Sequence, residues 1–293
     1  MIIVLIICAI LFFIMQTIAL KKIRITTLRE NILTTGIFTG MIAIGFGLWG
    51  IYQPMQMSSS TVILGVVFGV LFIATIAAYY YAMQTGPLSY TTFFYSTSML
   101  IPSLAGILVW KEPLTGTIVL GILLLLGAFY FISVYGQGKG ENINKRWMFL
   151  CFWSWLCNGS LSVVVKTQQT LLKGIESTEM MMVSFSAACI ISFLVYFILL
   201  GFKKQPNIFK EDIKNMKASL PSLMAVALGS GAGNVIVTYL ASRVPSAYLF
   251  PFVLGGMMIG VTLYSVFFLK EKLNKFGILG ITLGLVAIIA INL

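Results

Sequence analysis

Two amide side chains, Asn158 and Asn234, stand near the middle of long apolar runs. Each keeps company at helical spacing, Asn158 with Trp155 and Ser162, Asn234 with Ser230 and Thr238. Two further sets repeat the pattern: Thr75 with Tyr79 at i, i+4, and Thr91, Tyr95, Ser98 and Pro102 at i, i+4, i+7, i+11. Residues at these spacings share one face of a helix. Amides, hydroxyls and aromatic rings can hold a small polar solute inside a membrane by hydrogen bonds and ring contacts. The candidate substrate-binding residues are therefore Thr75, Tyr79, Tyr95, Ser98, Trp155, Asn158, Ser230 and Asn234. The same groups equally suit hydrogen bonding from helix to helix with no ligand between them.

Other chemistry is excluded by what is missing. No Asp or Glu lies inside an apolar run, and the chain has no histidine. Proton exchange through a buried carboxylate is disfavoured, and with no G-x-S-x-G elbow the chain does not read as an enzyme. Cys8, Cys151, Cys157 and Cys189 are scattered through apolar runs without metal-ligand spacing, so no metal or cofactor is expected. "GSGAG" at 229–233 has no following lysine and no preceding strand. It belongs with the G-x-x-x-G spacings Gly36/Gly40, Gly65/Gly69 and Gly256/Gly260, which predict close helix packing.

The elements that hold these residues follow from composition. Of 293 residues, 59% are hydrophobic and 9% charged, with a mean hydropathy of +1.00. Such a chain folds with lipid as its main solvent, and each crossing needs about 20 apolar residues. The predicted spans are 1–20, 32–52, 61–84, 89–110, 115–135, 147–168, 178–201, 219–242, 246–269 and 274–293. Unbroken runs of this length point to helices, because barrel strands are half as long and alternate. The first run has no basic leader or small-residue cleavage site and reads as a retained span. The excess of 19 basic over 8 acidic residues sits in short segments between runs, as topology signals and lipid contacts do, and no nucleic-acid partner is expected.

A repeat emerges around two charge pairs, "WKEPLTG" at 110–116 and "LKEKLNK" at 269–275. At an offset of 159, Lys111 and Glu112 fall on Lys270 and Glu271, and 15 of 55 ungapped positions are identical. The N-terminal spans align at an offset near 146, the difference being taken up by "KKQPNIFKEDIKNMK" before the eighth span. The chain reads as two five-span units, 1–140 and 141–293, joined near 136–146. An odd number of spans per unit inserts the second copy upside down, an arrangement recurrent in secondary transporters.

The five-span unit, with its turns "TGPLSY" and "RVPSAY" and a fourth span ending in "KEPL" or "KEKL", resembles the EamA unit of the drug/metabolite transporter superfamily. That resemblance covers nearly the whole chain. It implies an all-α integral membrane protein of ten transmembrane helices in two inverted repeats, with a central pocket. It also implies a secondary transporter or facilitator of small polar or zwitterionic, amino-acid-like metabolites, exporting them by alternating access across the cell membrane. Members often carry a proline in the middle of the fourth and ninth helices; Pro102 fits, whereas the ninth has Gly255 and Gly256, with Pro251 nearer its start. The alternative is carriage of quaternary ammonium or lipophilic cations in an aromatic cage drawn from Trp49, Tyr79, Tyr95, Trp153 and Trp155. The expected partners are a small-molecule substrate and membrane lipid, in a monomer or weak dimer.

Orientation has two indications. Odd-numbered connections carry 15 basic residues against four elsewhere (Lys111, Lys166, Lys173 and Arg243), which places both termini outside. Resemblance to the superfamily implies cytoplasmic termini; the charge count is favoured because its bias lies in short loops. The charge pairs themselves predict punctuation at the water interface, with Pro113 stiffening the next helix, or a gating contact between the halves.

Overall fold

A backbone buried in lipid must satisfy its own hydrogen bonds, and here it does so by helices alone. The computed structural model of the chain describes residues 1–23, 25, 27–52, 55–112, 115–131, 145–201, 208–271 and 274–291. Pro113, Leu114, Leu273 and residues 136–144 of the expected join lie outside the described residues. Among the described residues there are twelve α-helices and no strand. In chain order they are α1 (Ile2–Lys22), α2 (Leu28–Tyr52), α3 (Ser59–Thr85), α4 (Leu88–Ser96), α5 (Leu100–Leu108), α6 (Gly116–Tyr130), α7 (Lys145–Leu171), α8 (Ser177–Gly201), α9 (Ile208–Ala218), α10 (Leu220–Ala241), α11 (Ser246–Phe268) and α12 (Lys275–Ile291).

Among the described residues eight stretches are long and apolar enough to cross a bilayer, α4 and α5 counting as one continuous stretch, Leu88–Leu108. The described parts of the expected spans 115–135 and 274–293 are α6 and α12, of 15 and 17 residues, short of the usual crossing length of about 20. Local chemistry sets several helix starts. The hydroxyls of Ser58 and Thr115 accept from the N–H groups of Thr61 and Ile118, and Asn274 Oδ1 accepts from Gly277 N–H at 2.6 Å.

Two features go beyond the sequence reading. The connection 202–218 contains α9, a short amphipathic helix with exposed lysines. Its Asp212 and Met216, one turn apart, turn inward onto α2 and α8. Hydropathy could not reveal it, because an acidic residue is what it buries. Lys166, within the expected span 147–168, lies in α7 and is buried against Glu112.

Between helices in lipid there is no hydrophobic drive, so close approach and interdigitation do the packing. α1 lies along α10 and α11, α3 along α7 and α8, α2 along α8, α4 along α11, and α6 along α12. Small residues set the spacing: a Cβ on Gly69 would stand 2.7 Å from the Ser184 carbonyl on α8, and one on Gly229 would stand 2.5 Å from the Phe12 carbonyl on α1. Phe38, Phe46, Phe68, Phe72 and Phe185 fill the gap between α2, α3 and α8, mostly edge to face.

Candidate functional site

The fourth expected span is broken, and the break shapes the site. Pro102 has no N–H to offer the carbonyl of Ser98 and crowds it as well. The chain responds with a 3-10 turn, Thr97–Met99, between α4 and α5. That turn presents Ser98 to α7, where the Asn158 amide donates to its hydroxyl at 2.7 Å. Asn158 borders a cavity of ≈ 50 Å³ enclosed by α1, α3, α4, α7, α10 and α11. Its polar lining consists of Gln16, Thr17, Tyr79, Tyr95, Asn158, Ser162 and Asn234. Phe13, Phe68, Phe72 and Phe250 add rings to those of the two tyrosines, and no charged side chain is among the described lining residues.

Several of these groups are held in place. Tyr79 and Tyr95 pack with ring centroids 4.3 Å apart, and the Tyr79 hydroxyl pairs with Thr92 at 3.0 Å. The Asn234 amide donates to the Ser230 carbonyl at 2.9 Å and approaches the Ser230 hydroxyl at 3.4 Å. Ser162 donates to the Asn158 carbonyl at 3.3 Å.

Four of the eight sequence candidates, Tyr79, Tyr95, Asn158 and Asn234, border this cavity from four different helices. Ser98 and Ser230 stand behind them as partners of the two amides. Thr75 is fully buried away from the cavity lining, with no hydrogen-bond partner among the described residues. Trp155 stacks on the exposed Phe152, centroids 5.7 Å apart, on another side of α7. The cage aromatics divide likewise: Trp49 and Trp153 are exposed on the outside of the bundle. Gln16 and Thr17 escaped the sequence candidates, although they are the polar pair in the otherwise apolar stretch Ile2–Leu20 of the first helix.

A larger groove of ≈ 670 Å³ opens sideways between α2 and α10, past Met41, Trp49, Leu228 and Val235. Its walls are almost wholly apolar, so it offers little to orient a polar solute. The small interior cavity has the convergent polar groups that such a task needs.

One acidic contact lies outside the spans. Glu176, in the turn between α7 and α8, accepts from the Ser58 N–H at 3.0 Å and the Ser58 hydroxyl at 2.9 Å. Partial burial pushes its carboxyl pKa up, but the hydrogen bonds from Thr61 and Ser58 outweigh this and hold it below the ordinary carboxylate value.

Comparison with known proteins follows this geometry. Residues 145–293 match the EamA-like transporter family. No curated protein matches the chain. Among solved structures, 28 chains match. One, described only as a crystal structure of a protein, aligns over 98% of this chain and 94% of its own with a TM-score of 0.67 and 12% identity. A likeness at that identity shows a shared fold alone. The family match takes in 149 of 293 residues (293 − 145 + 1), and it points to a multi-pass membrane transporter of the drug/metabolite type and away from an enzyme. The chain belongs to the EamA-like transporter family.

Proposed function

We propose that this chain carries small zwitterionic or neutral polar metabolites, amino-acid-like in size, across the cell membrane by alternating access between two inverted five-helix halves, 1–140 and 141–293. The observation that carries the substrate class is the interior cavity. Asn158, Asn234 and Gln16 converge there among six aromatic rings without a fixed charge. Amide dipoles can serve a carboxylate and an ammonium at once, whereas a net ionic solute would find no counter-ion.

Helix pairing supports the two-half reading. If the ten apolar segments are numbered in order, α1 with α10 joins the first to the eighth, and α3 with α7 joins the third to the sixth. Exchanging the halves turns one pair into the other. Of the other close pairs, α2 with α8, α4 with α11 and α6 with α12 each join a segment to its own counterpart, while exchanging the halves turns α3 with α8 into α10 with α2, and α1 with α11 into α7 with α4 and α5.

A second reading, carriage of organic cations, draws on the six rings around the cavity, since ring faces attract cations. Purified protein in proteoliposomes, offered a labelled panel of amino acids, other zwitterions and quaternary ammonium compounds with and without a pH gradient, separates the two. Movement of zwitterions that is lost in Asn158→Ala and Asn234→Ala supports the first reading. Movement of the quaternary compounds alone replaces it with the second. A panel in which nothing moves in either direction removes the transport reading.

A further inference from the structure

The two glutamates of the repeated charge pairs reach across the molecule in the same way. Glu112 follows α5 and Glu271 follows α11. The lysine before each has the same left-handed backbone, φ 54° at both Lys111 and Lys270. Such a conformation is uncommon for a residue with a side chain, and its recurrence marks a turn with a purpose. In both turns the glutamate N–H returns to a carbonyl six residues back, Gly106 at 3.0 Å and Ser265 at 3.2 Å. Each lysine is left at the surface and each glutamate is turned inward.

The inward carboxylates cap helices that belong to the other half. Glu112 accepts from the Ser246 N–H, at 3.1 Å on one oxygen and 2.9 Å on the other, at the start of α11. Glu271 accepts from the N–H groups of Leu88 at 2.7 Å and Ser89 at 3.1 Å, at the start of α4, and from the Ser89 hydroxyl. Both helices begin after a proline, Pro245 and Pro87, which supplies no capping side chain. The leading N–H groups and the positive end of the helix dipole are met instead by a charge from 134 or 183 residues away. A lysine completes each contact. Lys166 lies 3.0 Å from Glu112 and 3.4 Å from the Val244 carbonyl. Lys21 donates to the Met83 carbonyl and sits close enough to Glu271 for direct charge attraction.

The two clusters sit at opposite ends of α11, whose 23 residues span about 34 Å at 1.5 Å each. The cavity lies between them, bordered by Phe250, Val253, Leu254 and Met257 of that helix. Ser246, Leu88 and Ser89 are buried, so the N–H groups they present depend on the two carboxylates for a partner while each contact is closed.

We propose that Glu112 and Glu271 are the two gate residues of the transport cycle, both closed in this structure and released one at a time. Loss of the Glu112 cap frees the Ser246 end, and loss of the Glu271 cap frees the Leu88 end. This rests on the transporter reading, but its test does not need the substrate. In protein with its four native cysteines replaced, Ser162→Cys places a thiol at the cavity. Its labelling by a charged, membrane-impermeant maleimide is measured in right-side-out and inside-out vesicles. Adding Glu271→Gln should raise labelling severalfold from the Leu88 end alone, and adding Glu112→Gln should raise it from the Ser246 end alone.

A second variant keeps both glutamates. Ser89 and Ser265 hydroxyls are 2.7 Å apart, so Ser89→Cys with Ser265→Cys should crosslink on oxidation. The crosslink should suppress labelling from the Leu88 end only, with recovery on reduction. Equal changes from both faces, or a crosslink without effect on access, overturn the gate assignment. Sided changes in access without movement of any solute would leave the gates standing and remove the substrate reading.

Discussion

The Asn158 amide donates to the Ser98 hydroxyl at 2.7 Å, across the point where α4 gives way to α5. A cavity-lining group of α7 is thereby fixed by the 3-10 turn between α4 and α5. The bond joins the site to the break in the helix, and removing either end should be felt at both.

Asn158→Ala should weaken substrate binding by roughly 5- to 150-fold, the range expected when a partner loses its hydrogen bond and about 1–3 kcal/mol goes unrecovered. Asn158→Ser should retain part of it. Equilibrium binding measured alongside the thermal midpoint checks this. Unchanged affinity in Asn158→Ala would remove the amide from the site.

Pro102→Ala should restore the missing helical hydrogen bond to the Ser98 carbonyl and draw the 3-10 turn toward regular helix. An interior proline ordinarily costs a helix about 3 kcal/mol, so stability should hold or rise. Turnover should nonetheless fall about tenfold, equivalent to ~1.4 kcal/mol on the barrier, because Ser98 moves off Asn158. Proteoliposome flux and a melting curve on the same preparation test both halves of that expectation.

The attachment of α9 depends on Asp212, which is 1% exposed, meets Arg29 at 2.7 and 2.9 Å, and receives the Tyr196 hydroxyl at 2.9 Å. Arg29→Ala leaves a buried carboxylate without its cation and should cost about 3–5 kcal/mol. The double change Arg29→Met with Asp212→Leu should recover most of the loss. Limited proteolysis within 208–218 should be fast in the single variant and slow in the double.

Glu176 makes stability depend on acid. Its folded-state pKa lies below its unfolded value of about 4.3, so its contribution is present above that pH and lost as pH falls through the folded value. The group is partly exposed, which limits the contribution to about 0–1 kcal/mol. Glu176→Gln should therefore melt slightly earlier than the parent at neutral pH, with the two curves converging in acid.

The sequence alone determined where the apolar segments lie, that 15 of 55 positions match at an offset of 159 residues, and that polar groups recur at helical spacing. Those properties are local, since partition into lipid and helical period depend on neighbours a few residues away. Tertiary structure decided which faces meet. Tyr79, Asn158 and Asn234 turn to the cavity while Thr75 and Trp155, one turn from two of them, do not, because small rotations of a packed helix select the face. α9 stayed hidden because its buried face carries Asp212, intelligible only beside Arg29 183 residues away. Glu112 and Glu271 marked the repeat from the start, yet their partners are backbone N–H groups of distant helices. Every residue but proline has such a group, so no residue type in the sequence could announce the contact.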